Sequence, residues 1–234
     1  MPTRALYFVH RWLGLVVALQ LLAWSLGGLM FSLLDIDDVH GDLDRVEAAP
    51  APLPRAAIVP VEKALVGVDD ATRAALVMRR GRAVWQIDRK DGPPVLVDAI
   101  DGARLGALDA EEAKRIALAD VRGARGVLDA TLFETDAPLE YREKPLPAWR
   151  VAVDHDKEIH VYVHAMTGEV TARRNVKWRV FDFFWMLHVM DYSEREDFQH
   201  PLLTFFAAVA VLASASGIVL WVVRARRRIL RRDG

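Results

Sequence analysis

Two stretches of the chain carry no charge, and they frame everything between them. One runs from Trp12 to Leu34 and the other from Pro201 to Val223, 23 residues each. A helix of that length rises ~35 Å at ~1.5 Å per residue, enough to cross a ~30 Å hydrocarbon core. The first run is longer than the ~7–15-residue apolar region of a secretory signal. It also leaves through Phe31-Ser32-Leu33-Leu34 into Asp35 without a small-residue cleavage site. It therefore reads as an uncleaved anchor. Residues 12–34 and 201–223 are expected to be transmembrane helices, with 1–11 and 224–234 as basic flanks.

Between the spans the pattern changes from continuous apolarity to alternation. Period-two stretches occur at Ala83–Asp88 and Pro94–Ala99, and again at Ala148–Val153 and Ile159–Ala165. Each pair is built around a tryptophan, Trp85 or Trp149, and each closes on a glycine turn, Asp101-Gly102 or Thr167-Gly168. These are hairpin signals. A helical pattern precedes each pair. Pro60 opens the first, and Asp109 with Glu112 forms a capping box at the start of the second. The middle is therefore an α+β domain of two helix-plus-antiparallel-sheet repeats, 59–108 and 109–175. Residues 35–58 read as an acidic and then proline-rich linker. Residues 176–200 read as an interfacial aromatic helix (Phe183, Phe184, Trp185) followed by the acidic loop 191–197.

Charge placement sets an orientation. Arg4 and Arg11 flank the first span, and Arg224, Arg226, Arg227, Arg228, Arg231 and Arg232 follow the second. Both basic flanks lie on one side, which the positive-inside rule makes the cytoplasm. The middle domain is then periplasmic, or extracellular in a single-membrane cell, and the expected location is a bacterial inner (cytoplasmic) membrane. The tail is short and explained by topology, so nucleic acid is not an expected partner; the bilayer is.

The chain has no cysteine. That excludes disulfides, thiolate metal sites, covalent haem attachment and cysteine nucleophiles. There is no phosphate loop, no dinucleotide-binding glycine motif, no H-E-x-x-H and no G-x-S-x-G, so no catalytic residue is assigned.

Particular motifs resemble a known family. Trp149-Arg150-Val151-Ala152-Val153 and Val163-His164-Ala165-Met166-Thr167-Gly168-Glu169-Val170 resemble the PepSY pattern. The first unit lacks the closing valine, having Asp101-Gly102-Ala103-Arg104. His10-Arg11-Trp12-Leu13-Gly14-Leu15 resembles the opening of PepSY-associated transmembrane proteins, as does the stretch from Leu187 to Tyr192. The resemblance implies a relation to haem-binding siderophore reductases and iron-regulated membrane proteins. It also implies a role in transmembrane electron transfer or iron uptake. PepSY domains are also associated with restraining peptidases. That leaves a tethered periplasmic binding or regulatory module as the alternative, or an accessory subunit without a cofactor.

The chain's seven histidines are weighed in that light. His10 lies at the inner membrane face, and His40, His188 and His200 lie near the outer one. Each is either an interfacial hydrogen-bonding residue or a ligand to haem b, since imidazole is the usual noncovalent holder of haem in a helical bundle. His10 and His200 are a span apart and cannot share one haem. An outer haem would use His188 and His200, or one of them with His40. Two helices enclose too little, so the haem reading carries a homodimer or a larger membrane complex with it. No nucleotide or flavin site is present, so it also needs a separate cytoplasmic electron donor. His160, Tyr162 and His164 alternate with valines and read as a solvated sheet face, the alternative being a surface metal site.

Overall fold

The computed structural model describes residues 2–47, 51–54 and 58–230. The chain divides into two compact units, residues 1–34 with 180–234, and residues 35–179.

The first unit holds α1 (Pro2–Leu33), the C-terminal part of α5 (Val176–Val189) and α6 (Pro201–Leu230). Within α1 and α6, Gly14–Leu33 and Pro201–Val219 are long and apolar enough to cross a membrane. Their apolar side chains stay largely exposed, among them Leu19, Leu22 and Leu29 on α1 and Val211, Leu212 and Ile218 on α6. A helix apolar all round and not covered by protein is solvated by lipid.

The second unit contains two four-stranded antiparallel meanders. β1 (Ala71–Arg79), β2 (Arg82–Arg89), β3 (Val95–Asp98) and β4 (Arg104–Leu105) form one. β5 (Gly126–Phe133), β6 (Ala148–Asp154), β7 (His160–His164) and β8 (Val170–Arg174) form the other. A short helix precedes each: α3 (Val61–Ala64) and α4 (Ala110–Asp120). Asp109 and Glu112 make the expected reciprocal cap of α4. The two halves agree in detail. Trp85 pairs with Val97 and Trp149 with Val163. The Trp85 indole donates to the Val59 carbonyl at 2.8 Å, and the Trp149 indole to the Leu108 carbonyl at 3.1 Å. In each half the tryptophan thus ties the sheet to the residue just before its helix. Each first strand also breaks register near its start, between Ala71 and Arg73 and between Val127 and Asp129.

The core of the second half lies between α4 and the inner sheet face. Ala113, Ala117, Val151, Val153, Val161 and Val163 fill it. The opposite face, expected to be solvated, is buried. Tyr162 is fully buried and His164 is 3% exposed. The chain between β5 and β6 folds back over this face, and Tyr141 stacks on Tyr162 with ring centroids 4.3 Å apart. Alternation located the two faces correctly, but it could not show that an irregular segment covers the polar one. Glu140, from the same cover, accepts hydrogen bonds from the Tyr162 hydroxyl and from the His160 Nδ1–H, both at 2.6 Å. Arg179 lies 3.3 Å from its second oxygen. Burial alone would raise the Glu140 carboxyl. Hydrogen bonds from His160 and Tyr162, with the charge of Arg179, outweigh it and hold the group at about 2.

The expected linker over 35–58 is folded for much of its length. Asp35 caps α2 (Ile36–His40), its carboxylate accepting the amides of Asp37 and Asp38. Asp38 is buried. It takes Lys157 at 2.9 Å and also pairs with Lys177, so both cations hold its carboxyl below the usual carboxylate range. Asp44 takes Lys157 at 2.8 Å, and Arg45 bridges to Val121 beside α4. Gly41 turns the chain with φ +76, and a Cβ there would meet the Arg173 Cβ at 2.9 Å. The aspartates read as a charged spacer because their cations lie more than a hundred residues away. Residues 51–54 of the proline-rich part have no regular structure; residues 48–50 and 55–57 lie outside the described residues.

Candidate cofactor site in the membrane unit

One face of α1 is marked by Gln20, Trp24, Gly27 and Phe31, spaced three or four apart so that they stack along the helix. Against it runs the end of α5. The Trp24 indole donates to the His188 carbonyl at 2.9 Å. The His188 ring lies 6.1 Å from Trp24 and 5.7 Å from Phe31, centroid to centroid. Phe181 and Trp185 extend the aromatic contact along Phe31. Gly27 completes the cradle. A Cβ built there would lie 3.8 Å from His188 Nδ1 and 3.7 Å from the Phe184 carbonyl. Those are ordinary contacts, so one methyl fits and a branched side chain does not. Trp24 is nine residues before Leu33, so His188 reaches roughly 14 Å along α1 from its C-terminal end.

α5 ends at Val189, and Met190, with a φ of 58, turns the chain out of the helix. The loop that follows is organised by a single carboxylate. Asp191 accepts the backbone amides of Ser193, Glu194, Glu196 and Asp197 and the Ser193 hydroxyl. The Ser193 hydroxyl first, then the amides, hold the Asp191 carboxyl far below its ordinary range. Arg195 folds back onto buried Asp182, its carbonyl accepts the Trp185 indole at 2.9 Å, and Phe198 packs edge-on to Trp185. His200 then sits immediately before Pro201, the first residue of α6, and its carbonyl accepts the Thr204 amide. Proline suits that first helical position, where its missing N–H is not needed.

His188 and His200 therefore lie in the same unit, joined by a folded loop. The Nδ1 of each is buried without a hydrogen-bond partner, and so is Gln20 Nε2. Buried polar atoms without partners are uncommon and call for an explanation. The His188 ring is also held by aromatic packing against Trp24 and Phe31. The donor set of two imidazoles and no thiolate fits haem b. The other two expected ligands are placed differently. His40 closes α2 on the surface of the second unit. His10 lies in α1, but its side chain is outside the described residues, as are most of the side chains of the basic tail. Among the described residues, no group of three or more histidines and carboxylates is arranged to hold a metal ion.

His188 and His200 stand out in the sequence by residue type, and Gly27 as a small residue that admits a close helix, whereas Gln20, Trp24 and Phe31 do not stand out. The 20, 24, 27, 31 spacing inside an otherwise lipid-facing run was the available signal.

No curated protein and no solved structure matches the chain. A family model described as the PepSY-associated TM region matches residues 7–234. With nearly its whole length matched, and with two apolar helices and two antiparallel sheets in place, the chain belongs to the PepSY-associated transmembrane family.

Proposed function

We propose that this membrane protein holds a b-type haem through His188 and His200 and passes electrons across a bacterial inner membrane in iron or siderophore uptake. The observation that carries this reading is the pair of imidazoles in the membrane unit, each with Nδ1 buried and unpartnered. When bound, haem b supplies a one-electron couple whose potential is tuned by its axial ligands and its burial. The chain's own contribution is orientation. Trp24, Gly27 and Phe31 fix the His188 ring, and the Asp191-capped loop fixes the start of α6 beside His200.

The reading places both termini in the cytoplasm and the 35–179 unit in the periplasm. It requires a second copy or a larger complex, because two helices with mostly exposed apolar faces enclose little. It also requires a cytoplasmic electron donor and gives His10 a place at an inner haem.

The test is an absorption spectrum of the detergent-purified protein, oxidised and then dithionite-reduced, after expression with ample haem. A Soret shift with resolved α and β bands, lost in His188→Ala and His200→Ala, is the expected result. A featureless spectrum from folded protein would overturn the proposal.

A further inference from the structure

A cleft of about 300 Å³ opens where the two halves of the 35–179 unit meet. Its walls are the β1–β2 turn, the connector Leu105-Gly106-Ala107 and the first turns of α4. Three guanidinium groups face it, from Arg80, Arg82 and Arg115, against one carboxylate, Glu112.

These four groups are not equivalent. Arg80 is committed. It donates to the Gly106 carbonyl at 2.9 Å and to Glu112 at 2.7 Å, and its side chain is 14% exposed. It occupies a two-residue hairpin with Gly81, at φ 52 and 74, where asparagine-glycine is the usual choice. A long cationic side chain in left-handed backbone is uncommon, and such positions cluster at functional sites. Glu112 is also committed, to Arg80 and to the cap of α4. Arg115 approaches it only at 4.0 Å and Arg82 approaches Asp98 only at 3.7 Å, with side chains 74% and 62% exposed. Pairs that long and that exposed contribute little. Above Gly106 there is open space, since a Cβ there would meet nothing within 4 Å.

We infer that this cleft binds a small polyvalent oxyanion, a polycarboxylate or a phosphate, gripped between Arg82 and Arg115 over a floor fixed by Arg80 and Glu112. Guanidinium forks match carboxylate and phosphate oxygens in pairs, and an excess of positive charge in a recessed, polar cleft favours an anion over a neutral ligand. The volume suits a small molecule and lies at the lower end of ligand sites. Nothing in the inference depends on haem.

The experiment is calorimetric titration of the full-length detergent-solubilised protein with citrate and, separately, with inorganic phosphate. Ionic strength is held constant with chloride, and the absorption spectrum of each sample is recorded. Saturable binding of either anion is expected, weakened by about tenfold or more in the R82A/R115A double variant, whose substituted side chains are largely exposed and leave the fold intact. Binding of citrate alone would identify a polycarboxylate site, and binding of phosphate alone a single-oxyanion site; either supports the inference. No saturable heat into the millimolar range, equal heat from chloride, or unchanged affinity in the double variant would each overturn it.

Discussion

His164 allows a sharp test of how the second half of the 35–179 unit is held together. In the first half the equivalent position is Asp98, which follows Val97 as His164 follows Val163. The Asp98 carboxylate accepts the amides of Ile100 and Asp101 at 2.8 and 3.4 Å. His164 Nδ1 accepts the amides of Met166 and Thr167 at 3.3 and 3.1 Å. The imidazole does the work of a carboxylate, and it can do so only with a lone pair on Nδ1 and therefore only when neutral. Burial lowers the His164 pKa from its ordinary 6.5, with the nearby charge of Glu169 opposing. The sign follows from linkage. Above about pH 6.5 neither state is protonated and the turn contributes fully. As the pH falls below that value the unfolded chain binds a proton that the folded chain resists, so stability drops until the lowered folded pKa is reached. The slope is at most about 1.4 kcal/mol per pH unit.

His164→Ala strands two backbone donors in a buried turn. At roughly 1–2 kcal/mol each, that is a loss of about 2–4 kcal/mol, or roughly 10 °C in melting temperature for a unit of this size. His164→Asp restores a permanent acceptor. It should melt close to wild type at pH 7.5 and lose less stability than wild type on going to pH 5.5, by roughly 1 kcal/mol or about 3 °C. Thermal unfolding of the full-length protein in detergent, followed by near-UV circular dichroism across that pH range, measures both. Identical pH slopes for wild type and His164→Asp would refute the reasoning, because all other titrating groups are common to the two.

Three further outcomes are expected. Gly27→Ala should leave a haem spectrum unchanged whereas Gly27→Leu should reduce haem content several-fold, since the cradle beside His188 Nδ1 admits one methyl and no more; haem per polypeptide by pyridine haemochrome is the readout. Asp191→Asn should expose the loop to proteolysis at neutral pH, because its amide nitrogen cannot accept the Glu196 and Asp197 amides, whereas the wild-type loop should stay protected down to about pH 4, its carboxylate being held far below the ordinary range. Glu140→Gln should destabilise the 35–179 unit by about 2–3 kcal/mol, removing charge-assisted bonds from His160 and Arg179 in a buried setting, as read by denaturant unfolding.

Much of the architecture was legible because its signals are local. Charge-free runs marked the spans, Asp109 and Glu112 announced the α4 cap, and tryptophan-centred alternation located β2, β3, β6 and β7. What stayed hidden depends on distant partners. β1 and β5 have weaker alternation and give no strand signal of their own, although each pairs along its length, β1 with β2 and β5 with β6. The segment 35–47 looked like a spacer because Lys157 and Lys177 are far away in sequence. The face bearing His160 and His164 looked solvated because its cover, around Tyr141, has no periodicity. In the candidate site, the histidines stood out by residue type. Their cradle did not, because Trp24 and Phe31 are unremarkable inside an apolar run until α5 is laid against them.

The way the 35–179 unit is closed has a mechanical consequence. Its two ends are stapled to each other: the Asn175 side chain donates to the Asp38 carbonyl at 2.6 Å, and Lys177 pairs with the Asp38 carboxylate. Tension applied at Asp35 and Arg179 would run through that staple and the β8 edge, and would bypass the first sheet. The first sheet is a pendant lobe outside the load path, held to the second by a few arginine contacts such as Arg79 with Glu169 and Arg80 with Glu112. The joint between the two sheets, with the arginine-lined cleft beside it, therefore carries none of that tension.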